Sequence, residues 1–395
     1  MATHNFKSLK TKYGSFEHPV AVITINGKDF AKNKDGLIVS DLEVELTSGY
    51  EASIASFCFY NTFDHDNSCF KINEVKKYIM IGSAVEIALG YGKQAQVVFC
   101  GFISRVNFFY ESGEMPGIRV TAMDVKGVMM ANRYSRQLTA TNYGDAVKEI
   151  LNQGPYLGMT TSQIIKKVIV SDTPDKPVTP PMPPKASDRT IEMVAESDYE
   201  FIVKAAKKYN FEFFTECGNV YFRKSKLNAE TVMEMGPSEG LRNFDVEYDV
   251  TGLAETIKAR GTDVSKAQVI EAAQKFNNKI SMGNKAKKLI KKSEKVYLDA
   301  TISSKEEANY RVESLMEEMA YRFGTMECSC IGMPELLPGK FFVLSSLGQP
   351  PENKFYLVKV VHRMDEDRGF ETKLYGKAAS IEDAAGLGGI AGGLI

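Results

Sequence analysis

The residues whose types and spacing could do chemistry are four histidines, six cysteines and one run of lysines, beside carboxylate pairs that are abundant among 50 acids and mean nothing without geometry. His4, His18, His65 and His362 fall in turn-like stretches or near the terminus. None belongs to an HExxH or to a helical i, i+4 pair, the spacing that brings two imidazoles onto one metal ion. In FDHDNSC, Asp64, Asp66 and Cys69 lie near His65 and could touch a metal, but a polar loop between strands needs the same residue types. Cys328 and Cys330 are two apart in a strand and so share a face; with no two further ligands in view they read as paired buried thiols. The tail GLGGIA has the form GxGxxA, yet only four residues follow it, too few for the helix a dinucleotide site requires. No P-loop and no CxxC occurs. Lys285, Lys287, Lys288, Lys291, Lys292 and Lys295 form the conspicuous charge run. Wound as a helix, they spread around most of its circumference, which reads as a solvated face before it reads as a patch for DNA or an acidic protein. No catalytic residue, metal ligand or cofactor is expected.

Composition narrows the partners further. The 395 residues, 44% hydrophobic and 25% charged, are globular and exceed one ordinary domain. With 49 basic against 50 acidic residues, bulk electrostatics do not favour nucleic acid. Six cysteines scattered through so long a chain are not a disulfide scaffold, and reduced thiols are expected. The N-terminus lacks a secretory apolar run, and no stretch approaches the ~18 apolar residues of a membrane span, so we expect synthesis in the cytosol and no membrane insertion.

The elements that would position these residues are mostly strands. PVAVITING, LIVSDLEVELT, ASIASFCFYN, SAVEIALGYG, AQVVFCGFISRVNFFYE and GIRVTAMD follow one another from Pro19 to about Met123, separated by Gly, Asn and Asp turns. Thr141 then caps a helix carrying Ala146, Val147, Ile150 and Leu151. Residues 172–188 hold six prolines and read as an extended connector. The stretch 196–224 is the best specified. Ser197 and Glu200 make a capping box, Phe201, Ile202, Ala205, Ala206 and Tyr209 form an apolar stripe, and Asn210 offers a left-handed stop before two aromatic strands. Strand alternation returns in LRNFDVEYDVTGLAETIKARG, and residues 264–300 read as a helical or mobile excursion. A second capped helix runs to a stop at Gly324, boxed by Ser303 with Glu306 or Ser304 with Glu307, and strands resume from Met326 to Leu374.

Three of these blocks, in order over residues 97–376, resemble the phage late control protein D family, which includes the N-terminal part of VgrG spike proteins. They are the VFCGFISRV segment leading to Asp124 and its helix, the capped helix with its hairpin ending in YFR, and IGMPELLPGKFF through FETKLYG with a His362 loop. The resemblance implies a baseplate hub that assembles as a homotrimer. Each chain would supply two tube-like barrels to a pseudo-sixfold ring between a threefold spike and a sixfold tail tube. The fold class expected is α+β, mainly β. Its divisions are a first barrel at 1–125, an α/β part at 126–240, a second barrel at 241–380 with a helical insertion at about 265–323, and a tail at 381–395. Expected partners are further copies, a spike protein, the tube protein and other baseplate proteins, with nucleic acid met only through the lumen. Assembly would take place in the host bacterial cytoplasm, within a phage or phage-like particle that is later released. The alternatives are a baseplate-associated cell-wall hydrolase, for which two carboxylates would suffice, and a DNA-end or cargo module resting on the lysines alone. Both barrels are expected to share one topology.

Overall fold

The computed structural model describes residues 2–30, 36–175, 191–227, 229–263, 266–280, 285–366 and 369–381. Most of the proline-rich connector and the small-residue tail from 382 onward lie outside the described residues.

Alternation in the first part produces six strands: β1 (Pro19–Ile25), β2 (Ile38–Thr47), β3 (Ile54–Tyr60), β4 (Ala84–Tyr91), β5 (Gln94–Phe109) and β6 (Gly117–Met123). In β4, Val85, Ile87 and Leu89 are buried while Glu86 and Ala88 are half-buried, the period of a sheet with one face on a core. The strands lie in the order β1-β4-β5-β6-β3-β2, every neighbour antiparallel.

A middle unit follows. α1 (Tyr143–Leu151) is capped by Asn142, which accepts from the Asp145 amide at 2.8 Å, so the cap lies one residue beyond the expected Thr141. β7 (Lys167–Val170) comes next. α2 (Asp198–Tyr209) begins in the reciprocal Ser197–Glu200 box and stops at left-handed Asn210. β8 (Phe211–Glu216) and β9 (Asn219–Lys224) then form a hairpin through Cys217 and Gly218, both at positive φ as a two-residue hairpin turn requires. β7 joins β9 in parallel.

The second strand set opens with β10 (Thr231–Met235) and β11 (Leu241–Tyr248). An excursion of β12 (Thr256–Asp263), β13 (Gln268–Lys275), α3 (Lys285–Leu289), β14 (Glu294–Leu298) and α4 (Lys305–Ala320) precedes β15 (Gly324–Ile331), β16 (Phe341–Leu344), β17 (Asn353–Asp365) and β18 (Gly369–Ala378). The set is ordered β10-β16-β17-β18-β15-β11. Ranked by sequence, both sets read first, fourth, fifth, sixth, third, second. Four of the five neighbour pairings also agree in direction; the exception is β10–β16, which is parallel where β1–β4 is antiparallel.

Finer features repeat as well. β5 carries a bulge between Ile103 and Arg105, and β17 one between Leu357 and Lys359. One residue before each bulge, the same pair of bonds is made. Ile103 accepts from Gly82 and donates to Ser83, and Leu357 accepts from Gly339 and donates to Lys340, all at 2.8–2.9 Å. Gly82 and Gly339 both hold φ above +80°, a backbone that side chains with a Cβ rarely adopt.

Several expectations need correcting. The sheets do not close into two barrels. β17 pairs with β16 over 353–356 and, along the same edge, with β2 over 359–364, so both sets, together with a two-residue strand Lys28–Asp29 beside β1, merge into one thirteen-stranded sheet. TIKARG is β12, which belongs to a separate sheet with β13 and β14, while β10 joins the second set from before residue 241. The excursion is not wholly helical, because β13 and β14 are strands. Their exposed Val269 (70%) and Leu298 (83%) break the alternation that would mark them in sequence. His362 is not in a loop but inside β17, fully buried, with Nδ1 2.9 Å from the Thr372 hydroxyl. α4 is capped by Ser304, and the Glu307 carboxylate bonds the amide and hydroxyl of Ser303.

Three cores result. The largest is common to both strand sets, the second lies between α1, α2 and the hairpin, and the third lies between α4 and β12–β13.

Burial lowers the His362 pKa from 6.5 to about 3, only partly offset by the Leu336 backbone. The folded state therefore holds a neutral ring while the unfolded chain takes up a proton as pH falls below 6.5. Stability is lost progressively between pH 6.5 and 3, at up to about 1.4 kcal/mol per pH unit for this one group. In chemical denaturation, His362→Gln should reduce the fall in stability between pH 7 and pH 5 by roughly 2 kcal/mol.

Candidate interaction site

The merged sheet has an apolar face on the common core and a polar face carrying ion pairs. Across the β2–β17 seam, Arg363 meets Glu43 at 2.6 Å and Lys359 meets Glu45 at 2.7 Å. A cleft of about 1140 Å³ lies over this face, between Glu45, Glu327 and Lys359 of the sheet and Lys207, Lys226 and Glu317 of the helical side. Its deeper carboxylates are bound by their own neighbours. Glu212 receives the Tyr356 hydroxyl, the Lys226 amide at 3.1 Å and Arg223 at 3.1 Å. Glu317 takes Lys226, Asn210 and Ser225. Burial pushes the Glu317 carboxyl up, but Lys226 and the bonds from Asn210 and Ser225 hold it below the ordinary carboxylate range. The arrangement clamps α2, the hairpin and α4 onto β17.

The same hairpin is fastened to the first strand set. Thr215 donates to buried Asp124 at 2.6 Å, Asp124 also accepts from the Ser53 amide, and Cys217 bonds the Val97 carbonyl at 3.0 Å. Beside it, fully buried Lys126 spends its ammonium on the carbonyls of Gly49 and Glu51; burial pulls its pKa down, against the nearby Asp124 charge. Arg223 reaches the Gly339 carbonyl of the second set at 3.0 Å. The unit thus bridges both halves.

The residues singled out in the sequence are not brought together. Lys285, Lys287, Lys288, Lys291 and Lys292 are exposed on and after the five-residue α3, while Lys295 is half-buried and donates to the Gly252 carbonyl at 2.6 Å. His65 is exposed beside Phe63. All six cysteines are free, with Cys58, Cys100, Cys328 and Cys330 buried. Burial lifts the Cys328 thiol to about 12 and Cys330 well above its usual value, so neither is a ready nucleophile. Among the described residues, no group of three or more His, Cys, Asp or Glu is placed to share a metal ion. Residues 236–240, GPSEG, have the form GxSxG, but they turn between β10 and β11 with no following helix.

What the motif search missed is a pair of open strand edges. Among the described residues, β11 pairs only with β15, and β5 beyond Ile103 pairs only with β6. Equating the bulge residues Ser104 and Val358 places both in one frame. Glu45 faces Ile54, which faces Met123; Glu247 faces Thr325, which faces Lys377. Met123 and Lys377 lie opposite Phe102 and Tyr356, each two residues before its bulge. Glu43-Val44-Glu45 thereby corresponds to Asp245-Val246-Glu247, a short likeness that the sequence did carry.

Because the exposed lysines make few contacts, replacing Lys287, Lys288, Lys291 and Lys292 by Gln should move the melting temperature by no more than about 2 °C in calorimetry. A loss of many degrees would mean that these side chains pack in the native state.

The model of the family described as the Alg8 N-terminal domain matches residues 152–366, more than half of the chain. No curated protein matches in sequence. Among solved structures, a tail protein from Neisseria meningitidis MC58 is similar with a TM-score of 0.65 at 11% identity, over 92% of this chain and 98% of that one. The 43 kDa tail protein of prophage MuSo2 from Shewanella oneidensis gives 0.66 at 11% identity, over 92% and 100%. The E. coli c3393 protein, described as a component of the type VI secretion system, gives 0.54 at 10% identity, over 92% and 79%. The likeness to tail proteins read from the sequence thus holds at the level of fold. The chain belongs to the Alg8 N-terminal domain family and has the fold of phage tail proteins.

Proposed function

We propose that this chain is a structural hub of a contractile phage tail or phage-tail-like injection particle, three copies of which form a ring joining a threefold spike to the sixfold tail tube. One observation carries the reading: a single chain holds two six-strand sets of the same order, already joined edge to edge. Three such chains offer six similar segments, matching a threefold partner by chain and a sixfold partner by segment. The tail-protein fold and the tail and secretion roles named for its structural relatives support the same context.

On this reading, residues 1–125 and the strands from 231 to 380 are the two ring segments, and the α/β part between them braces the pair. With the apolar face committed to the core, the ion-paired polar face lines the lumen, where any nucleic acid would be met. Spike, tube and other baseplate proteins are the partners, and the protein assembles in the bacterial host before leaving with the particle. It is not an enzyme on this reading, since the deep carboxylates of the cleft are tied to structural neighbours.

Quantitative mass spectrometry of purified particles should count three copies for each spike trimer; two or six would overturn the hub. Purified chain incubated with peptidoglycan should release no soluble fragments. Release that a single Asp or Glu substitution abolishes would favour the hydrolase instead.

A further inference from the structure

We infer that successive copies join by strand pairing, the free edge of β11 in one copy adding antiparallel to residues 104–109 of β5 in the next, in the register that β2 and β17 already use within one chain. The inference rests on the hub reading and specifies the contact that builds its ring.

The internal seam is the template. β2 lies on β17 with Glu45 opposite Val361 and Val44 opposite His362, and the Ser48 amide bonds the bulge carbonyl of Val358 at 3.0 Å. In the shared frame, β11 is the counterpart of β2 and β5 the counterpart of β17. One chain therefore contains one completed seam and the two unmatched halves of a second. Transferring the register places Glu247 opposite Asn107, Val246 opposite Phe108 and Phe244 opposite Tyr110.

Burial separates the completed seam from the open halves. On the core side of the internal seam, Leu42 is 4% exposed, and Val44 and His362 are 0% exposed. Of their counterparts, Phe244 (for Leu42) is 39% exposed, Phe108 (for His362) 44% and Val246 (for Val44) half-buried, while Tyr110, 62% exposed, stands where the seam has half-buried Met364; Phe108 and Tyr110 already lean on Phe70 and Phe63. Aromatic side chains are thus left in water where their counterparts are covered. The polar side tells the same story. Lys359 and Glu45 form the 2.7 Å ion pair of the seam, and their counterparts Arg105 and Glu247 are both exposed, opposite in charge and without an ion-pair partner among the described residues. The second pair of the seam is not reproduced, because Phe109 stands where Arg363 would be. A chain end that fits the opposite end of its copy makes a head-to-tail contact, the kind that generates rings.

The test uses the full chain with exposed Cys69 replaced by Ser and carrying Asn107→Cys and Glu247→Cys. Directly opposed antiparallel residues have Cα atoms about 4.5–5.5 Å apart, within disulfide reach. Mild oxidation should give covalent dimers and trimers with the trimer as the largest product. Each single-cysteine chain alone should give none, and the two mixed should give only dimers. As a second readout, Arg105→Glu or Glu247→Arg alone should weaken self-association about tenfold or more in sedimentation, and the two together should restore it. A trimer that forms without cross-links and ignores the charge swaps overturns the strand pairing while leaving the hub reading intact. Cross-linked products that grow past three keep the pairing and overturn the three-copy ring. A chain that neither associates nor cross-links overturns the pairing.

Discussion

The architecture depends on β17 sharing one edge between two partners. β17 is thirteen residues long, and β16 covers only its first part, so the remainder would be an unpaired row of backbone groups on a long strand. β2 fills that row, and this is how two six-strand sets become one sheet with one common core. The bulge between Leu357 and Lys359 marks the changeover. A bulge increases local twist, and a sheet that must bend where two segments meet uses it there. β5 has the same bulge, and beyond it the edge away from β6 has no partner among the described residues, so each segment carries the same half of a joint.

Polar groups hold the rest to this joint. The β8–β9 hairpin is bonded to Asp124 and Val97 on one side and to Gly339 and Tyr356 on the other, with Lys126 sealed beneath it. Buried groups of this sort are costly unless every partner is present, so they fix one arrangement of the hairpin. Its aromatic strands supply apolar area, and its buried polar contacts supply orientation.

Local signals were the most legible in the sequence. The Ser197–Glu200 box, the Asn210 stop and the aromatic hairpin are set by neighbours within a few residues, and the structure follows them closely. Long-range pairing was not legible. Nothing in LEVEL or VKVVHR says that they are adjacent, because a strand exposes the same alternating pattern to any partner. His362 reads as a loop residue because an ionisable side chain argues against burial, whereas in the fold the apposed Thr372 hydroxyl and the Leu336 backbone give the buried ring polar partners. β13 and β14 were missed because lysine and alanine dilute their alternation. The open edges were recoverable only by noticing that EVE recurs as DVE some two hundred residues later, which means something once both are known to sit in equivalent strands.

The joint also sets the order of events during synthesis. Glu43 and Arg363 are 320 residues apart in the chain. On the ribosome, β2 therefore emerges with its strand set long before β17 exists to cover it. For most of translation, the nascent protein carries a bare sheet edge, and neighbouring nascent chains on one messenger carry the same edge. Glu43 and Glu45 then act in a second way: two like charges on that edge oppose pairing with an identical copy, and they are neutralised only when Arg363 and Lys359 arrive. The last strands to be made thus carry the cations that release the first from quarantine.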